Sequence, residues 1–323
     1  MRTVMAWKKA ISVLAGALAI GCGGGGGTPD AGGGETDSGP IGPELPVLRS
    51  GTLADPTADP AVMTCLGART QPTPGGDVDV TMNLLFFSGG TPARGVDVWF
   101  FRDNIVRDTC ESGVCQMGTS STDDGTIAFT GSATGWYAYR VFEHDGPTSG
   151  TSVVDSVQYN EPAPATAGSV EGNAVELSTV NLIPTLLGVP RTPGTVLIAG
   201  RVMDCMDTSL RGATIRVYDG DTLIVSGEAA DAPRFTYFNG DSTPDPAALH
   251  THVDGLYAAV NIPIPTGADG LLRVEAWGRP SETSPATGER IGCEAMRAFA
   301  DAVTIINVGP TRNDYATDHP CAD

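Results

Sequence analysis

Past residue 60, short runs rich in Val, Ile, Phe, Tyr and Thr alternate with clusters of Gly, Asp, Pro and Ser, and this rhythm constrains the fold more than any other feature. β-Branched and aromatic side chains suit a pleated, half-buried surface, and the intervening residues suit turns. Strands are expected over 78–87, 96–101, 126–130 and 136–141. Over 96–101 a period of two puts Val96, Val98 and Phe100 on one face. Over 136–142 both faces carry aromatic or apolar groups, which calls for a second layer. Helical periodicity is nearly absent, and 291–303 is the one stretch that could form a helix of any length.

The same order of signals returns after residue 190, with strands expected over 195–203, 214–218, 256–260 and 271–277. Arg94-Gly95-Val96 matches Arg211-Gly212-Ala213, and Asp123-Asp124-Gly125 matches Val253-Asp254-Gly255. In such turns Asp bonds its own backbone while Gly takes the left-handed conformation. A unit used twice at a spacing of roughly 100–120 residues is large enough to close its own core. The expected fold is therefore all-β, with two tandem small β-sandwich domains over 61–160 and 192–323. Between them, 161–191 reads as an interdomain segment. Its part from Glu161 to Gly172 reads as a loop, and 174–187, interrupted by Pro184, as an edge strand or packing segment.

The second half carries Gly212-Ala213 ahead of Ile215, Val217 and Tyr218, then Thr251-His252-Val253-Asp254-Gly255-Leu256-Tyr257 and Asn261-Ile262-Pro263. This arrangement resembles the carboxypeptidase regulatory-like domain family, whose members are transthyretin-type β-sandwiches. The first half keeps Arg94-Gly95-Val96 and the stretch from Ser121 to Phe129, but lacks the proline before its last strand. The resemblance implies a non-catalytic accessory module. An immunoglobulin-like sandwich fits the same strands.

Ahead of the strands, Arg2, Lys8 and Lys9 flank a basic start, followed by an apolar run of 11 residues from Ala10 to Ile20. That run is shorter than the ~20 residues needed to span a bilayer and fits an export signal. Leu18-Ala19-Ile20-Gly21-Cys22 resembles the lipobox of bacterial lipoproteins, although Ala19 stands where such boxes most often have Leu. The expectation is a signal peptide over 1–21 and an acylated Cys22 that holds the chain to a membrane. Gly23 after the cysteine resembles the pattern sent to the outer membrane. Residues 22–60, rich in Gly, Pro, Asp and Ser, lack clusters to bury and are expected to form a flexible tether.

Without residues 1–21 the chain keeps 16 arginines, no lysine and 38 carboxylates, a formal charge of -22. Such a surface repels nucleic-acid phosphates and excludes nucleic acid as an expected partner. Besides Cys22 there are six cysteines, and an even number in an exported chain favours disulfides. Gly113 allows Cys110 and Cys115 to close a tight loop. Chain entropy favours the long Cys205–Cys293 link, leaving Cys65 with Cys321.

Few residues carry recognisable chemistry. His250 and His252 form a His-x-His pair beside Asp245 and Asp254, a candidate metal set. Intradiol ring-cleaving dioxygenases hold iron with two Tyr and two His on a related sandwich, and Tyr237 and Tyr257 lie near this pair. Their His-x-His follows the core turn and strand, however, whereas this pair precedes the turn, so those roles do not transfer. Asp123, Asp124 and the acidic loop from Asp241 to Asp245 could bind Ca²⁺ weakly; no other cofactor is expected. Trp99, Trp136, Tyr137 and Tyr139 could present a stacking surface for sugars. Nucleophile-elbow, zinc-protease and phosphate-loop motifs are absent. The leading expectation is a non-enzymatic, lipid-anchored envelope protein that engages a protein or a glycan. A carbohydrate-binding module and a metal-dependent enzyme at His250 and His252 are the alternatives.

Overall fold

The computed structural model describes residues 44–50, 61–66, 75–87, 89–144, 153–267, 270–310 and 321. The signal segment 1–21, Cys22 and residues 23–43 and 51–60 of the expected tether lie outside the described residues. Strand β1 (Arg49–Ser50) precedes a first half made of β2 (Asp77–Phe86), β3 (Val96–Phe101), β4 (Cys115–Thr119), β5 (Thr126–Ser132), β6 (Trp136–Glu143), β7 (Val153–Val154), β8 (Ser156–Pro162) and β9 (Gly168–Glu176). Two short helices, α1 (Leu177–Val180) and α2 (Leu182–Leu186), lead into the second half. It contains β10 (Thr195–Arg201), β11 (Leu210–Arg211), β12 (Thr214–Asp219), β13 (Thr222–Ile224), β14 (Arg234–Phe238), β15 (Pro244–Asp245), β16 (Leu256–Pro263), β17 (Leu271–Gly278), β18 (Glu289–Arg297) and β19 (Val303–Ile305). Among the described residues no helix is long and apolar enough to cross a membrane.

The fold is predominantly β, in four sheets. A nine-stranded sheet, β15-β14-β16-β10-β19-β8-β6-β3-β4, runs through both halves. The join is β19, which lies parallel to β10 on one side and to β8 on the other. Two four-stranded sheets, β5-β2-β9-β7 and β13-β12-β17-β18, cover it, and β1 and β11 form a small pair. The two covers lie on opposite faces of the shared sheet. In-register partners point to the same side, so Leu197, Val303 and Ser156 share one face, and Ile198, Thr304 and Val157 share the other. On the first face, Phe100, Tyr137 and Tyr139 pack against Met82, Leu84 and Phe129 of the first cover. Farther along that face, Leu197, Ala199 and Val303 pack with Val180 and Ile183 of the helices. On the opposite face, Ile198, Tyr257, Val157 and Tyr159 pack against Val217, Val274 and Met296 of the second cover.

The repeat seen in the sequence is a repeat of backbone geometry. In the first half Leu84 N–H donates to Gly125 O (3.1 Å), Ala93 N–H to Leu84 O (2.9 Å) and Gly95 N–H to Ser120 O (3.1 Å). In the second, Val202 N–H donates to Gly255 O (2.9 Å), Leu210 N–H to Val202 O (2.8 Å) and Gly212 N–H to Thr251 O (2.9 Å). A buried hydroxyl completes each knot. Ser120 Oγ donates to Ala93 O and accepts from Val96 N–H; Thr251 Oγ1 donates to Leu210 O and accepts from Ala213 N–H. Gly125 and Gly255, at φ 74° and 64°, sit where a Cβ would strike the backbone of the preceding strand, Leu84 O at 2.9 Å and Val202 O at 2.5 Å. Thr251→Val keeps the shape but orphans one donor and one acceptor. It is expected to cost about 2–3 kcal/mol in chemical denaturation, and Thr251→Ser much less.

Three expectations are corrected. Residues 161–172 are not a loop throughout: β8 ends at Pro162 and β9 begins at Gly168, parallel to β2. Gly172 hides that strand from propensity, because Met82 Sδ occupies the place of its Cβ at 2.5 Å. Within 174–187, β9 gives way to α1 and α2, not to an edge strand. The candidate helix 291–303 is the greater part of β18 and the start of β19. Both faces of β18 are covered, so the in-and-out alternation that marks a strand is erased.

The disulfides are Cys65–Cys205, Cys110–Cys115 and Cys293–Cys321. The Cys110–Cys115 loop is as expected, but the Cys205–Cys293 and Cys65–Cys321 links are not formed. Cys293 sits in β18 opposite Glu275, whereas Cys205 lies on the loop between β10 and β11. Loop-length arithmetic ranks pairs by entropy and is blind to this separation.

Candidate functional site

The most constrained polar cluster lies where the chain comes into the fold. Leu45 and Leu48 are buried, Leu45 N–H donates to Ala286 O and Leu48 N–H to Arg279 O. Gly278 and Gly288 make room for them: a Cβ there would meet Leu48 Cδ2 at 2.6 Å and Leu45 Cδ1 at 2.8 Å. Strand β1 then pairs with β11, Arg49 opposite Arg211 and Ser50 opposite Leu210. Residues 44–50, expected as part of the tether 22–60, are thus docked on the second half. Leu45-Pro46-Val47-Leu48 was the apolar signal for this docking, inconspicuous inside a Gly- and Pro-rich stretch.

Asp204, 1% exposed, clasps this segment. Its Oδ1 accepts the N–H groups of Met206 (2.8 Å) and Thr208 (2.9 Å), closing the turn after β10. Its Oδ2 accepts the Ser50 hydroxyl (2.7 Å) and Val62 N–H (3.3 Å). Next to it Cys205 N–H donates to Val62 O (3.0 Å), Cys65 N–H reaches Cys205 Sγ (3.0 Å), and the Cys65–Cys205 bond closes the clasp with Cα atoms 5.7 Å apart. Four donors occupy the carboxylate, so its chemistry is attachment. Sequence reasoning missed the clasp at Asp204 because the partners of its Oδ2 lie 142 and 154 residues away.

The sequence-derived candidates are dispersed. Tyr237 and Tyr257 are buried neighbours across β14 and β16. Tyr237 Oη accepts Ile215 N–H (2.9 Å) and Tyr257 Oη donates to Ile306 O (2.6 Å). Burial pushes the Tyr237 phenol up to about 12 and also raises that of Tyr257 well above its ordinary value, which keeps both protonated. His250 Nδ1 lies 3.2 Å from Thr251 O, and His252 rests against Gly240. Burial, with Arg211 nearby, holds the His252 imidazole below its ordinary range, so it is neutral at pH 7. Asp254 bonds the Ser242 hydroxyl, and Asp245 Oδ1 accepts Ala247 N–H. No group of three or more His, Cys, Asp or Glu able to hold a metal occurs among the described residues, although His252 lies within electrostatic reach of Asp254 and His250. Asp124 Oδ1 accepts the N–H and hydroxyl of Thr126, and these bonds lower its pKa; it shapes the turn beside Asp123.

The proposed sugar platform is also corrected. Tyr137 and Tyr139 fill the first core, while Trp99 lies on the opposite face of the sheet, edge-on to Phe142. Trp136 is half-buried at the start of β6. Alternation along β3 and β6 puts Tyr137 and Tyr139 on the face opposite to Trp99 and Trp136. Tyr139 instead heads a buried polar chain. Its hydroxyl accepts Asn173 N–H (2.7 Å) and donates to Gln158 Oε1 (2.6 Å), and Gln158 Nε2 donates to Glu161 (2.5 Å). Burial outweighs that last bond and raises the Glu161 carboxyl from 4.5 to about 7. The folded state therefore binds this proton more tightly than the unfolded chain, and stability falls as pH rises from 4.5 to 7. Glu161→Gln is expected to stabilise the protein by about 2 kcal/mol at pH 8 and by little at pH 4, read from thermal melts at both values.

No protein-family model matches the chain, and no curated protein matches it. Several solved structures show weak likeness. The Bacillus anthracis TIE protein is 13% identical with a TM-score of 0.22, over 72% of this chain and 34% of its own, so this chain spans about a third of its length. An intradiol ring-cleavage dioxygenase from Tetranychus urticae is 13% identical with a TM-score of 0.19, over 35% of this chain and 64% of its own. The shaft pilin SpaA from Lactobacillus rhamnosus GG is 12% identical with a TM-score of 0.21, over 72% and 97%. Similarities at this level carry no argument about function.

Proposed function

We propose that this chain is an exported outer-membrane lipoprotein, anchored through acylated Cys22, whose β-structure acts as a non-catalytic structural or interaction module. The observation that carries this reading is the Asp204 clasp with its Cys65–Cys205 bond, which ties the segment emerging from the anchor to the second half. Three disulfides suit an oxidising compartment. The repeated turn geometry supports a kinship of both halves with regulatory-like accessory domains.

Metabolic labelling with an alkyne-bearing palmitate in a Gram-negative host tests the anchor. The wild-type chain is expected to take up label and sediment with outer membrane, and Cys22→Ser to do neither. Label retained by Cys22→Ser, or an unlabelled wild-type chain in the soluble fraction, would refute the reading.

A further inference from the structure

We propose that the Cys65–Cys205 bond is a site of thiol–disulfide exchange, opened by a dithiol reductant ahead of the other two disulfides, and that its opening undocks residues 61–66 while 44–50 stay bound. This goes beyond the reading above, since it needs the disulfides formed but not the lipid.

Access selects the bond. The rate of exchange depends on whether a thiolate can reach a sulfur and on how well the departing sulfur carries charge. Cys65 and Cys205 are both half-buried, with exposed Val62 and Thr64 on one strand of chain and exposed Met206, at 69%, and Asp207 on the other. Each of the other bonds places at least one cysteine in the interior. Cys293 and Cys321 are both buried. Cys110 is half-buried, but its partner Cys115 is buried opposite Phe101 in the apolar cluster that also holds Val106. Attack on Cys110 would therefore leave the charge on a sulfur in apolar surroundings, where a thiolate is costly.

The exchange also has a direction. Cys65 N–H donates to Cys205 Sγ (3.0 Å), so a thiolate that attacks Cys65 Sγ expels a Cys205 thiolate already facing a donor. The neighbouring Asp204 carboxylate is met by four donors, which blunts its repulsion. This first step forms a mixed disulfide at Cys65 and breaks the Cys65–Cys205 bond. The reductant's second thiolate then attacks its own linked sulfur and expels Cys65. Two electrons and two protons pass from the dithiol to the two cysteines, and the dithiol departs as a disulfide.

The bond is the principal hold on residues 61–66, which contain no strand. What remains without it is Val62 N–H on Asp204 (3.3 Å), Cys205 N–H on Val62 O (3.0 Å) and the partly buried side chains of Ala61, Met63 and Leu66 against the core. Residues 44–50 have attachments of their own in buried Leu45 and Leu48, the β1–β11 pairing and Ser50 on Asp204. Asp204 also keeps Met206 and Thr208, so its turn survives. Reduction thus frees the second attachment and leaves the first.

The test uses the full chain carrying Cys22→Ser, in which the six remaining cysteines are all bonded. It is exposed to limiting dithiothreitol, quenched in acid, alkylated and mapped by peptide mass spectrometry. Cys65 and Cys205 are expected to be alkylated together, at least ten-fold faster than Cys110, Cys115, Cys293 or Cys321. Glutathione, a single thiol, is expected to be trapped on Cys65 and not on Cys205. In the selectively reduced protein, amide exchange over 61–66 is expected to rise at least ten-fold while β8 and β19 remain protected. The double variant Cys65→Ser, Cys205→Ser is expected to show the same pattern without reductant. Release of all three bonds together, earlier reduction of either other bond, glutathione on Cys205, or unchanged exchange over 61–66 after reduction would overturn the proposal. The order of reduction is read on the intact bonds, so it decides the matter even where the double variant fails to fold.

Discussion

Asp155→Ala is expected to destabilise the protein by about 3–5 kcal/mol, a fall in Tm large enough to see in any thermal melt. Arg140 on β6 is held by a two-point bond, Nε to Asp155 Oδ1 (2.8 Å) and Nη2 to Oδ2 (2.6 Å), with side chains only 10% and 8% exposed. The guanidinium also lies 3.8 Å from the centre of the Phe299 ring, so it joins the first half to the segment between β18 and β19. Removing the carboxylate leaves a buried cation without its partner at the place where the halves meet. Asp155 O also accepts Val303 N–H (2.9 Å), so the loss is felt at β19 itself. The double variant Arg140→Met, Asp155→Ala removes both charges and is expected to recover much of the stability. A single variant within about 1 kcal/mol of wild type would show that the pair is dispensable.

The second large effect belongs to the Cys65–Cys205 bond, which spans 140 residues, against 28 for Cys293–Cys321 and 5 for Cys110–Cys115. Loop-closure entropy assigns these links about 5, 3.5 and 2 kcal/mol at most. Paired Cys→Ser variants are expected to lose stability in that order. Loss of the first should also raise amide exchange at Val62 and Cys205, whose backbone groups meet beside the bond. If the Cys110–Cys115 variant lost the most, loop entropy would not be what governs the ranking.

Much of the fold was legible where burial is one-sided. Strand β3 was expected at 96–101 and occurs there, because alternating burial of Val96, Val98 and Phe100 leaves its mark in the residue types. The Asp-Gly turns were legible because their glycines are required by close backbone approach. They differ in one respect: Asp124 bonds the turn itself, while Asp254 turns to Ser242. Strands β8, β9 and β18 were missed because burial on both faces, or glycine under a neighbouring side chain, removes the period of two. Of the candidate site residues, the six cysteines are all bonded, but the histidines, acids and aromatics were grouped by closeness in sequence. Tyr137 and Tyr139 show the limit of that grouping: their place beside Trp99 in a strand pair said nothing about which face each ring would occupy.

The residue pattern by itself determined the β class, the twofold repeat with its turn glycines, and the short Cys110–Cys115 link, since each rests on neighbours within one or two strands. The tertiary structure alone decided that β19, three residues long, joins the halves into one sheet. It also decided that the two covers lie on opposite faces, that Cys65 meets Cys205, and that Asp204 grips Ser50 and Val62. Those contacts join segments about 140 residues apart or more, or depend on which strand edge meets which. Local chemistry makes an edge or a thiol available; only the packed chain brings its partner to it.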